Sequence, residues 1–141
     1  MRYVLNEDGQ SYAVETIGSC EDLDIIIPDT YNNLPVTAIG DNAFNSPRCA
    51  LINSIVMSNN ITSIGNYAFG RCDNLTHMSI GNGIANIDRE AFGSGLQNNF
   101  DLYIDKSKDS ISGAPWSGYY GNSVTIHWTD ATDTYEWYEP L

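Results

Sequence analysis

Residues 61–72 read Ile-Thr-Ser-Ile-Gly-Asn-Tyr-Ala-Phe-Gly-Arg-Cys, a string too polar for a core helix and too broken for one strand. Close variants stand upstream as VTAIGDNAFNSPRC, Val36 to Cys49, and downstream as IANIDREAFGSG, Ile84 to Gly95. Three copies in 141 residues make an internal repeat the first thing to test. Aligned on Ala43-Phe44, Ala68-Phe69 and Ala91-Phe92, the copies are 68 − 43 = 25 and 91 − 68 = 23 residues apart. Ile39, Ile64 and Ile87 begin an Ile-x-x-x-Ala-Phe string in each copy, and Val36, Ile61 and Ile84 lie three residues earlier.

Further upstream, Ile55-x-Met57 and Met78-x-Ile80 alternate with period two, and Ile52 and Leu75 each follow a cysteine by three residues. The unit is therefore about 23 residues long: one short strand, a turn, a second short extended piece and an Ala-Phe segment. One such coil cannot bury its own apolar face, whereas stacked coils share a continuous core. The expected columns are Ile55/Met78, Met57/Ile80, Ile64/Ile87 and a Phe44/Phe69/Phe92 ladder. No segment keeps a 3.6-residue period over ten positions, so helix content should be low. Gly40 and Gly65 follow the inward isoleucine at the bend, where positive φ is expected, and Asp88 stands there in the third copy.

Bulk properties narrow the function. The chain is long enough for one domain with a continuous core, and 42% hydrophobic with 17% charged residues is an ordinary globular balance. Six Lys+Arg against 18 Asp+Glu give a net charge of −12, which disfavours nucleic acid and anionic membranes as partners. No apolar run approaches the ~18–20 residues of a membrane span, so membrane insertion is not expected. The opening MRYVLNEDGQ lacks the apolar stretch of a signal peptide, which was either removed or never carried. Cys20, Cys49 and Cys72 are too few for a disulfide framework; Cys49 and Cys72 should be buried free thiols on adjacent coils. His77 and His127 are far apart in sequence and no Cys-x-x-Cys occurs, so neither metal nor cofactor is expected.

The Ile-Gly-x-x-Ala-Phe-x-x-Cys segment resembles that of the BspA-like leucine-rich repeats, also called the Treponema pallidum type, with its ~23-residue repeats. Residues 39–49, 64–72 and 87–95 carry it, the first with Ser46-Pro47 inserted and the third ending in Gly95. Asp24-Ile25-Ile26-Ile27-Pro28 followed by Leu34 to Gly40 looks like that family's first repeat, and Tyr3 to Val14 like its N-terminal hairpin. The resemblance implies a mostly β leucine-rich repeat solenoid of three to four coils. It divides into a hairpin cap at 1–22, repeats at 23–105 and a C-terminal cap at 106–141. It also implies a non-catalytic module that binds protein or glycan, extracellular or at a cell surface, as in adhesion. The same repeats occur in phage genomes, so the alternative is a phage-encoded structural or accessory protein, or a modulator of a host protein. Its place would then be the phage particle or the host cytoplasm.

After Ile104 the pattern is lost, and 7 of the 12 Tyr and Trp residues lie from Trp116 onward. Bulky aromatics there suit a cap over the open end of the stack, or else an aromatic platform for a ligand, with Trp116 and Trp137 as candidates. Glu21-Asp22-x-Asp24 and Asp130-x-x-Asp133 lack the order of a calcium loop, and Gly81-Asn82-Gly83 lacks the third glycine of a phosphate loop; all read as turns. The period-two strands single out one surface. With Ile55, Met57, Met78, Ile80, Leu102 and Ile104 inward, Ile26, Val56, Ser79 and Tyr103 form an outward column flanked by Asp24, Ser54, His77 and Asp101. That face is the expected binding surface, with a bare solvated sheet as its inert alternative.

Overall fold

The computed structural model describes residues 1–93, 99–116 and 123–136. Its strands are β1 Arg2–Leu5, β2 Tyr12–Thr16, β3 Asp24–Ile26, β4 Thr30–Tyr31, β5 Leu34–Ile39 and β6 Ser54–Val56. They continue as β7 Ser63–Ile64, β8 His77–Ile80, β9 Asn86–Ile87, β10 Phe100–Ile104, β11 Ser123–His127 and β12 Thr132–Glu136. Among the described residues strand makes up 37% and helix 4%, in a solenoid of about four turns, as the repeat requires. The inserted Ser46-Pro47 leads into the short 3-10 turn Pro47–Leu51, where proline occupies the first turn.

Three coils each contribute one strand to each of two sheets, as β3/β5, β6/β7 and β8/β9, while β10 and β11 extend the second sheet alone. The first sheet runs β1-β2-β5-β7-β9 with β4 hairpinned onto β5; the second runs β12-β11-β10-β8-β6-β3. Coil-to-coil pairs are parallel: Ile39 faces Ile64 and Ile64 faces Ile87, while Ile55 faces Met78 and Met78 faces Leu102. The antiparallel β1–β2 hairpin stands before the first coil and pairs with β5 through β2. Its turn is set by Gly9 in the left-handed region, and Asn6 Nδ2 ties it back to Ser11 and to Thr37 on β5.

The third side has no continuous strands, so its inter-coil contact falls to isolated backbone bonds and to rings. Phe44 N–H donates to the Ala68 carbonyl at 2.6 Å, and Phe69 N–H to that of Ala91 at 2.8 Å. The rings behind those amides stack, Phe44 on Phe69 at 5.4 Å and Phe69 on Phe92 at 6.0 Å. Phe44, Phe69 and Phe92 are all fully buried. The alanine before each phenylalanine is buried as well, and a larger side chain there would push the coils apart.

Two expectations are corrected. Gly40 and Gly65 do not adopt positive φ. Glycine is needed there for space: a Cβ on Gly40 would lie 2.9 Å from the Val14 carbonyl oxygen, and one on Gly65 would meet Asp41 of the preceding coil. The left-handed residues come two positions later, at Asn42 and Tyr67. Nor does the stack stop at Ile104. β11 pairs parallel to β10, with Phe100 opposite Val124, an offset of 124 − 100 = 24 residues that matches the repeat. β12 then folds back antiparallel on β11. At this end Lys108 pairs with Asp133 at 2.9 Å, and that hydrogen bond raises the lysine pKa.

Cys20, Cys49 and Cys72 are all free thiols, and the latter two are fully buried. Hydrogen bonding to Cys49, together with burial, pushes Cys72 well above the usual thiol range; Cys49, which receives that bond, is lowered to about 6. Their burial governs reactivity, because a reagent must reach the sulfur before acidity can matter. Cys20 is partly exposed.

Two tests follow from this packing. Phe69→Ala should destabilise the protein by ~3–5 kcal/mol in urea titration, since it removes the middle ring of a closed ladder; a loss below ~1 kcal/mol would refute the ladder's role. Thiol titration should find Cys20 reacting quickly in the folded protein, with Cys49 and Cys72 reacting only once it is unfolded. Fewer than three thiols in unfolded, unreduced protein would mean a disulfide.

Candidate binding face

All eight residues expected on the outward column fall on one face of the second sheet. Parallel register sets Asp24, Ser54, His77 and Asp101 side by side in one row, and Ile26, Val56, Ser79 and Tyr103 in the next. Their neighbours Ile25, Ile55, Met78 and Leu102 point into the core and are no more than 2% exposed. Alternation along each strand thus divides packing from display. Ile26 at 72% exposure, Val56 at 42% and Tyr103 at 39% are large apolar groups left in water.

β11 extends both rows beyond the expected set. It brings Thr125 beside Asp101 and His127 beside Tyr103. The alternation Val124-x-Ile126-x-Trp128 repeats Phe100-x-Leu102-x-Ile104 at a 24-residue step, and that signal could have placed His127 on this face from sequence. Three rings then line up across adjacent strands. Tyr103 stacks on His127 with centroids 4.1 Å apart and planes 5° from parallel, and His77 meets Tyr103 diagonally at 4.7 Å. The spacing is that of the strands themselves, ~4.7–4.9 Å, so the sheet fixes the ladder. Because the rings cover one another's faces, they turn their edges outward.

Polar links hold the same rows. Asp101 Oδ1 lies 2.9 Å from His127 Nε2, and the Ser54 hydroxyl donates to Asp24 Oδ1 at 2.7 Å. Thr125 and Thr134 hydroxyls lie 3.0 Å apart where β12 joins the sheet. The face carries aromatic edges, hydroxyls and carboxylates, with apolar Ile26 and Val56 at its β3–β6 end. Among the described residues it holds no cluster of three metal-ligating side chains.

The aromatic platform expected at the tail does not include Trp116. That side chain is 5% exposed and meets Phe92 edge-on at 6.3 Å, a sealing position over the phenylalanine ladder. Trp137 lies outside the described residues. Ile111 and Trp128 are buried at the same end.

The BspA type leucine rich repeat region matches residues 15–120, in six copies. No curated protein matches the sequence. Among solved structures, a leucine rich cell surface protein from Faecalibacterium prausnitzii A2-165 aligns with a TM-score of 0.57 at 21% identity over 91% of this chain. This chain spans 41% of that protein's length, and at such identity the likeness is one of fold.

The side chains on this face are partly or largely exposed, so removing them should spare the fold. Asp101→Asn or His127→Ala should change unfolding free energy by no more than ~1 kcal/mol in urea, the range for one partly exposed hydrogen bond. A loss of several kcal/mol would instead make the pair a structural element of the last coil.

Proposed function

The chain belongs to the BspA-type leucine-rich repeat family, and from that premise we propose a non-catalytic module that recognises a protein or glycan at a cell surface. The observation that carries this reading is the division of labour between the sides of the solenoid. The Ile-Gly-x-x-Ala-Phe side is committed to packing, with Ala43, Phe44, Ala68, Phe69, Ala91 and Phe92 at most 1% exposed. The outward rows of the second sheet leave Ile26, Val56 and Tyr103 in water on a rigid parallel ladder. Exposed apolar groups aligned on a stiff scaffold lose little entropy on binding, which favours recognition there.

The net charge of −12 favours partners that are neutral or basic over anionic ones. The name of the Faecalibacterium protein supports a surface location, and no helix among the described residues is long and apolar enough to cross a membrane. Adhesion is the role that joins a surface location to a binding face.

The reading is tested by capturing ligands from a cell-surface extract on immobilised protein and measuring affinities. Tyr103→Ala should weaken binding by ~1–2 kcal/mol, or more if Tyr103 is a hot spot, with the fold intact by circular dichroism. Affinity indifferent to Tyr103, Val56 and Ile26 replaced together would move the site off this face.

A further inference from the structure

At the C-terminal ends of β8, β10 and β11 the display face runs into a cleft of about 330 Å³. Ser79, Tyr103 and His127, which are neighbours in one row, form its outward wall, and Asp105 and Thr129 continue the polar rim. Its floor is apolar: Ile80, Ile104 and Trp128, the last residues of the core column to be covered. We propose that this cleft takes one or two rings of an uncharged saccharide, a subsite of the binding face proposed above and dependent on that reading.

The chemistry of the lining selects that class. A sugar ring has an apolar face and a periphery of hydroxyls, and the cleft opposes an apolar floor to a rim of three hydroxyls and one carboxylate. The size suits a small ligand, at the low end of known ligand sites. Anionic sugars find no counter-charge. The neighbouring Lys106 donates its ammonium to the Ile84 carbonyl at 2.8 Å, and His127 is engaged by Asp101. Asp105 and the acidic surface repel sialic acid, sulfate and phosphate groups. The rim is also preorganised: Tyr103 is held between two imidazoles, and Asp105 N–H is anchored to the Ile80 carbonyl at 3.0 Å. Trp128, 7% exposed, has an Nε1–H without an acceptor among the described residues. Its indole forms part of the cleft floor, so its N–H resonance reports on a ring seated there.

The test uses the indole N–H resonance of Trp128 in a nitrogen-15 correlation spectrum, assigned by its loss in Trp128→Phe. Lactose, cellobiose and chitobiose, each titrated to tens of millimolar, should include at least one that shifts this resonance saturably. Asp105→Asn and Thr129→Val, which leave the core untouched, should each weaken that titration several-fold. Sialyllactose should shift it less than lactose, and glucosamine no more than N-acetylglucosamine. The proposal is overturned if no neutral disaccharide moves the resonance, if sialyllactose binds more tightly, or if a preference for glucosamine reveals a cation site. It is overturned equally if both rim variants titrate like wild type. Failure here with Tyr103-dependent capture of a surface ligand removes the cleft alone. Sugar binding without such capture would retain the cleft and remove the wider face.

Discussion

Each coil lies in register on the one before it, and every other feature depends on that pairing. Two of the three sides are joined by parallel ladders, and the third by single bonds such as Phe69 N–H to the Ala91 carbonyl at 2.8 Å. Side chains reinforce the backbone at the turns: Asp41 accepts from the Asn66 amide at 2.7 Å, Asn59 from that of Asn82 at 2.9 Å and Asn99 from that of Ser123 at 2.8 Å. These acceptors cap amides that would otherwise lie open at each corner. Coil spacing is consequently uniform, and side chains 23 to 25 residues apart become neighbours. The phenylalanine stack on the inside and the histidine–tyrosine ladder on the outside are both results of that spacing.

Close approach between coils also explains where side chains are forbidden. A Cβ on Gly83 would collide with the Asn59 carbonyl oxygen, and one on Gly81 would meet the Asn59 backbone at 2.7 Å. Gly-Asn-Gly in this chain is therefore a packing device and not a phosphate cradle. The same crowding accounts for the small residues beside each bend and leaves the outward strand faces as the place where composition is free to vary.

Much of this was legible in the sequence because inward positions obey two constraints at once, strand alternation and the coil repeat. Ile55, Met78 and Leu102 satisfy both, so their outward neighbours Val56, Ser79 and Tyr103 could be placed without coordinates. The turn of the stack beyond β10 was not legible: the segment after Ile104 lacks the Ile-Gly-x-x-Ala-Phe string, and only the alternation in β11 marks its return. The function of Gly40 and Gly65 was misplaced because a sequence shows a missing side chain without showing what would strike it. The contact between His127 and Asp101 joins residues 26 apart on a diagonal, a relation that follows from register and not from any local motif.

The strands run across the stack and its two ends differ. A β-hairpin stands before the first coil, while a lone antiparallel strand lies on the last. Tension applied between those ends would open the ladders bond after bond, like a zipper, instead of shearing them all together. Each coil would be released as a separate small event, and the chain it frees would lengthen the tether while the remaining coils stayed folded. Under load such a stack would give way in instalments and would recoil by restacking on the coils that survive.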